Sequence, residues 1–240
     1  MSNTNPYAYT GEVPAAQAAV EERVAFLRKT YTLLLAGILT FAATLWAAGS
    51  VEPVRGMAES LARTIFGSRW GWLLYAGLFM GGSMAVHAFA EKKPINVVLF
   101  FGFAFLMGLL TAPLVYMVLA QSDGVRTVNQ AALLTAIIFT GLSAYVFFSG
   151  RSFSFLGGAL SIASVALLGV FIIGGLMGGF GGGLWLSGLI VVLMAGYILY
   201  DTDAVLRRYP TTMHVAAACV LFVDVIILFK HLLFLLSRRD

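Results

Sequence analysis

Hydrophobic residues in this 240-residue chain recur neither at every second position nor along a single helical stripe; they gather in long unbroken blocks parted by short polar ones. Seven such blocks are present, at about 30–50, 71–90, 95–120, 130–149, 155–176, 184–206 and 213–236. A helix rises about 1.5 Å per residue, so roughly 20 apolar residues cross a hydrocarbon core about 30 Å thick. Each block has that length. The pattern predicts an all-α integral membrane protein, a seven-transmembrane-helix bundle filling residues 30–240 as one domain. The connections are too short for a separate soluble domain. Residues 1–29, from "MSNTNPYAYTGEVPAAQ" to "VEERVAFLRK", read as a polar cytoplasmic leader whose second part is an amphipathic helix entering the first span. The leader lacks the early apolar core of a secretory signal.

Composition agrees, with 60% hydrophobic against 11% charged residues, far from a soluble globular domain. The net charge of +4 comes from the loops. Without a basic stripe interleaved with aromatics, it points to no nucleic-acid partner. The short loops "EKKP" and "RRYP" fall on one side and the charge-free "GGLMGGFGGG" on the other, which puts the N-terminus in the cytoplasm and the C-terminus outside. Cys219 is the single cysteine, so one chain can build neither a disulfide framework nor a cysteine metal site.

Glycine and proline mark the helices further. "GGLMGGFGGG" reads as a flexible hairpin loop in preference to a packing face, whereas Gly77 and Gly81 in the second span are the candidates for close helix packing. Pro113, inside the third span, removes one backbone hydrogen bond and predicts a kink.

Ionisable residues inside the spans must be paired, face water or snorkel. They are His87, Asp201, Asp203, Asp224, Lys230 and His231. His87 stands near the end of its span and reads as interfacial; Lys230 is placed to snorkel outward. Asp224 is different, because "CVLFVDVIILFKHLLFLL" sets it about midway along the seventh span, where a lone carboxylate costs several kcal/mol. Asp201 is the natural partner across a tight loop, about Arg207 to Thr212, although the two registers differ by roughly 9 Å along the axis. Asp203 lies about 200° around the helix from Asp201, so Asp201 is assigned inward and Asp203 to the interface near Arg207. Two carboxylates in one low-dielectric site tend to hold a single proton between them. Such a pair is a pH-dependent switch and, once ionised, offers oxygen ligands to a hard cation such as Ca²⁺. The plainer alternative is a structural hydrogen-bonded pair that glues two helices together.

Five segments together resemble the Bax inhibitor 1 family, also called the transmembrane Bax-inhibitor-motif family, in its bacterial branch. They are "FLMGLLTAP" (105–113), "QAALLTAIIFTGLSAYVF" (130–147), "RSFSFLGGAL" (151–160), "YILYDTDAVLRRY" (197–209) and "LFVDVIILFKHLLFLLSRR" (221–239), in the family's order and spacing. The resemblance implies a seven-helix fold with the last helix at its centre and a pH-sensitive calcium leak, with no tightly bound cofactor and Ca²⁺ as the transported ion. It maps the family's sensor and gate aspartates onto Asp201 and Asp224, both candidates for Ca²⁺ contact. It carries no role to Asp203. The family's second-helix arginine, which latches the sixth-helix aspartate, has no counterpart in "WGWLLYAGLFMGGSMAVHAFAEKK", leaving His87 or Lys92 to take that part. His231, seven residues after Asp224 on the same face, is a candidate for the ion path, weighed against a plain interfacial histidine.

Enzymatic readings fit less well. An intramembrane aspartyl protease needs its second aspartate in a Gly-x-Gly-Asp motif, and "LFVDV" has no glycine. Ser143 in "GLSAY" lacks the glycine that should follow a membrane serine nucleophile, and Lys230 stands too near the end of its span for a retinal pump. The competing class is a membrane regulator that binds other membrane proteins, such as a quality-control protease, through its polar leader. Expected partners are therefore the lipid bilayer, Ca²⁺ and protons, with other membrane proteins under the second reading. The expected location is a bacterial inner membrane.

Overall fold

The computed structural model describes residues 13–68, 70–176 and 183–238. Eight helices follow one another: α1 (Val20–Ser50), α2 (Glu52–Phe66), α3 (Gly71–Ala88), α4 (Ile95–Leu119), α5 (Gly124–Ser149), α6 (Leu156–Leu176), α7 (Gly183–Arg207) and α8 (His214–Ser237). No strand occurs among the described residues, only an isolated bridge between Pro14 and Pro210. Six helices, all but α2 and α3, are long and apolar enough to cross a membrane. This is a multi-pass membrane protein.

The seven predicted blocks all became helices, with two differences. The first helix begins at Val20, so "VEERVAFLRK" is helical as expected and runs without a break into the first span, with Glu21 and Glu22 in the first turn where the helix dipole favours acids. The added helix, α2, carries Pro53 in its first turn and places Glu52, Arg55, Glu59 and Arg63 on an exposed face joined by ion pairs of 3.0 Å. The predicted block at 71–90 corresponds to α3, which falls outside the six because its glycines, Trp72 and His87 dilute its apolar character.

α1 and α4 run parallel. Phe100 meets Gly37, Thr44 meets Gly108, and the Tyr116 hydroxyl donates to the Leu45 carbonyl at 2.6 Å, so contacts advance together along both helices. A Cβ on Gly108 would stand 2.6 Å from Thr44 Cβ, and one on Gly37 2.5 Å from the Phe100 ring. These glycines set the approach of the two helices. Gly77 and Gly81, predicted to do this in α3, have nothing within 4 Å; the packed glycine there is Gly82, against Phe103. A Gly-xxx-Gly spacing places both residues on one face but does not say which face meets a neighbour. Pro113 lies inside α4, which continues through it to Leu119. The "GGLMGGFGGG" hairpin falls largely outside the described residues.

α8 is apolar all round, the mark of a helix enclosed by protein, and it packs against α1, α3, α4, α5 and α7. Its opening run Ala216, Ala217, Ala218 and Cys219 is fully buried. Further along, Phe222 meets Phe100, Phe103 and Phe41 edge-on at 5.7, 6.1 and 6.4 Å. The last helix is the centre of the bundle, as the resemblance implied.

One end of the bundle gathers the polar connections. The amide of Ala15 donates to the Tyr209 carbonyl at 2.9 Å, and Arg207 Nη2 donates to the Gly150 and Arg151 carbonyls at 3.1 Å each. Gly150 closes α5 with φ +65°, a left-handed conformation that turns the chain back and aims its carbonyl at Arg207. Lys29 and Lys93 lie near enough to His214 for their charges to act on it. The N-terminal segment and the α3–α4, α5–α6 and α7–α8 links therefore share this end.

Candidate functional site

α7 enters the polar end as a helix buried on every side. From Asp201 to Leu206 each residue is buried, because α8 covers one face while α5, the α5–α6 link and the N-terminal segment cover the other. This environment decides the positions of three carboxylates.

Asp201 and Asp224 come together across the α7–α8 interface, with their carboxyl groups within reach of each other. An ionised carboxylate is only an acceptor, so a hydrogen bond between the two needs a proton on one of them. Both residues are buried, at 7% and 4% exposure, and Asp224 Oδ2 has no hydrogen-bond partner among the described residues. The register difference of roughly 9 Å expected from the sequence does not hold the two apart. Both Arg208 and Tyr209 amides donate to the Ala204 carbonyl, at 2.7 and 2.9 Å, which tightens the end of α7 before the link to α8.

Asp203 is not at an exposed interface, as its angular separation from Asp201 had suggested, but 1% exposed. It does meet Arg207, whose Nε lies 2.8 Å from Oδ1, while Arg208 Nη1 is 3.9 Å from Oδ2 and the Ser152 hydroxyl donates to Oδ2 at 3.4 Å. The assumption that only one face of α7 points inward fails here. Near the links, both faces are enclosed.

Arg208 was not singled out from the sequence. Its guanidinium stacks over the Tyr200 ring at 4.3 Å, donates to the Tyr200 carbonyl at 3.1 Å and acts electrostatically on Asp201. The signal was present as spacing: seven residues from Asp201 bring Arg208 to the same side of the helix, and four from Asp203 bring Arg207 into reach. A second polar cluster adjoins the site, where the Ser143 and Thr202 hydroxyls are 3.3 Å apart and the Tyr31 hydroxyl faces both. It joins α5, α7 and α1.

The remaining candidates lie elsewhere. His87 Nδ1 is 2.8 Å from the Ser83 carbonyl, one turn back on its own helix. Lys92 is exposed, with its ammonium 5.1 Å from the Phe89 ring centre. A cation whose charge acts on Asp201 is Arg208. Lys230, expected to snorkel outward, turns to α3, where it bonds to the Tyr75 hydroxyl and sits 4.7 Å above the ring. His231 is half-buried with Nδ1 3.4 Å from Ser187 Oγ on α7, so it faces the same helix pair as Asp224, about two turns farther along. Cys219 is buried, with Ser83 beside it. Among the described residues no group of three His, Cys, Asp or Glu side chains is placed to hold a metal ion.

Residues 23–240 match the family model described as inhibitor of apoptosis-promoting Bax1. An uncharacterised protein of Campylobacter jejuni is 31% identical over 87% of this chain and 86% of its own length. The Golgi anti-apoptotic protein of vaccinia virus (strain Lister) is 32% identical over 92% and 89%, and protein lifeguard 4 of Mus musculus is 30% identical over 91% and 87%. With a family model that covers nearly the whole chain and full-length relatives from a bacterium, a virus and a mammal, this protein belongs to the Bax inhibitor 1 family.

Proposed function

We propose that the protein is a pH-sensitive calcium leak, gated where α7 meets α8. The observation that carries this reading is the buried Asp201–Asp224 contact, in which one carboxylate oxygen of Asp224 has no partner. A shared proton holds the two helices together and the path closed. When that proton leaves, two negative charges face each other in a low-dielectric site, repel, and attract a cation. Ca²⁺ takes six to eight oxygen ligands, and two carboxylates supply at most four, so an ion here keeps much of its water. That suits passage better than tight binding. His231 and Ser187 extend the polar line between the same two helices toward the other end of the bundle.

The topology that goes with this function has seven spans. α3 links the end where α1 and α4 finish to the end where α4 begins, and its 18 residues cover about 27 Å. The end carrying Lys29, Lys93, Arg151, Arg207 and Arg208 is then cytoplasmic, in a bacterial inner membrane, and the N-terminus lies inside.

A second reading rests on the relatives, two of which bear the names anti-apoptotic and lifeguard: a membrane regulator without transport that binds other membrane proteins. Ca²⁺ flux into proteoliposomes from pH 5 to 8 separates the two. The leak reading expects flux that rises with pH in the parent, and that loses its pH response in Asp201→Asn and Asp224→Asn. A parent protein without Ca²⁺ flux at any pH refutes it and leaves the regulator.

A further inference from the structure

The segment before α1 is not spread over the membrane surface but seated on the link that follows the aspartates. Pro14 and Pro210 form an antiparallel bridge, Ala15 N donates to Tyr209 O at 2.9 Å, and Ala16 N reaches Arg207 O at 3.4 Å. A turn stiffens the seat, since the Gln17 and Ala18 amides both return to the Pro14 carbonyl, at 2.8 and 3.2 Å. Ala15 is fully buried and shares the main core with Tyr209 and Met213. The stretch it grips carries Arg207, at the end of α7, which meets Asp203, and Arg208, which meets Asp203 and acts on Asp201. We propose that residues 13–18 are a strap that positions Arg207 and Arg208 against the buried aspartates, so that the N-terminal leader is a lever on the gate. The proposal rests on the gate described above and adds the element that controls it.

The charged groups around Asp201 are few. α8 presents Asp224 and the link presents Arg208; α5 and α1 present only the hydroxyls of Ser143 and Tyr31, at Thr202. Asp203 and Arg207 pair beside Arg208, with Ser152 from the α5–α6 link. Among the described residues Arg208, seven positions from Asp201 on the same side of the helix and stacked on Tyr200, is a cation whose withdrawal leaves the pair less favoured to ionise. Freed from its strap, the link lets Arg208 swing toward water. The gate then opens only at higher pH.

The test has two arms. In the first, residues 2–17 are deleted from the full-length protein, and backbone hydrogen exchange at 203–209 is followed alongside Ca²⁺ flux in proteoliposomes from pH 5 to 8. The second arm is a lock, Pro14→Cys with Pro210→Cys in a Cys219→Ala background. Cα atoms at such a bridge are roughly 4.5–5.5 Å apart, within disulfide reach. The expected results are faster exchange in the deletion, by about tenfold or more, and a flux midpoint moved up by roughly half a pH unit. The oxidised lock should keep the parent's exchange and midpoint, even where the deletion fails to fold. Unchanged exchange in the deletion, or no disulfide in the lock, overturns the strap. Faster exchange with an unmoved midpoint overturns its action on the gate. If exchange quickens but the parent carries no Ca²⁺, the leak reading fails while the strap's grip on Arg207 and Arg208 stands.

Discussion

Replacing Asp203 by asparagine tests whether the polar end of α7 is as enclosed as the structure makes it. The carboxylate is 1% exposed, with Arg207 Nε at 2.8 Å and Arg208 Nη1 at 3.9 Å. Removing one member of a buried ion pair costs about 3–5 kcal/mol, because the other charge is left without compensation. Arg207 is not so stranded. Its side chain is 36% exposed, and it keeps the Gly150 and Arg151 carbonyls at 3.1 Å, so water and those bonds absorb part of the loss. Asparagine also preserves volume and can still accept from Ser152. These discounts bring the expected destabilisation to about 2 kcal/mol, of which about 1 kcal/mol should appear as coupling in a double-mutant cycle with Arg207→Gln. Reversible unfolding in mixed micelles, titrated with a denaturing detergent and followed by tryptophan fluorescence, reads both quantities. A loss under about 0.5 kcal/mol, or strictly additive single and double variants, would show that Asp203 behaves as an exposed surface charge and would refute the enclosed geometry.

Further outcomes follow from single contacts. Gly108→Ala should lose about 1–3 kcal/mol in the same unfolding assay, since its Cβ would meet Thr44 at 2.6 Å, whereas Gly77→Ala, with nothing within 4 Å, should be near neutral; equal effects would sink the assignment of the packing glycines. Tyr116→Phe should cost about 1 kcal/mol by removing the hydrogen bond to the Leu45 carbonyl at 2.6 Å, and a neutral result would mean that α1 and α4 do not rely on it. Ser187→Ala should leave the pH midpoint of Ca²⁺ flux unchanged while lowering the flux itself, if His231 and Ser187 line the route beyond the gate; an unaltered rate removes them from it.

The chain by itself determined that this is a helical membrane protein, because blocks of roughly 20 apolar residues can satisfy their backbone only as helices in lipid. It also singled out Asp201 and Asp224, since an ionisable group inside such a block demands a partner, and the α7–α8 loop leaves few choices. The amphipathic α2 was not found that way: 15 mixed residues carry no span-length signal, and they fold as a helix because Pro53 starts it and α1 and α4 receive Ala58. Only tertiary structure decided which faces of α7 are covered. Helical periodicity states that Asp201 and Asp203 point apart, but not that protein stands on both sides, and so Asp203 was placed outside although α5 and its link enclose it. Arg208 was legible as its seven-residue spacing from Asp201, but the strap was not: its contacts join residues about two hundred positions apart through backbone amides and carbonyls, groups common to nearly every residue, so no side-chain pattern in the sequence marks them.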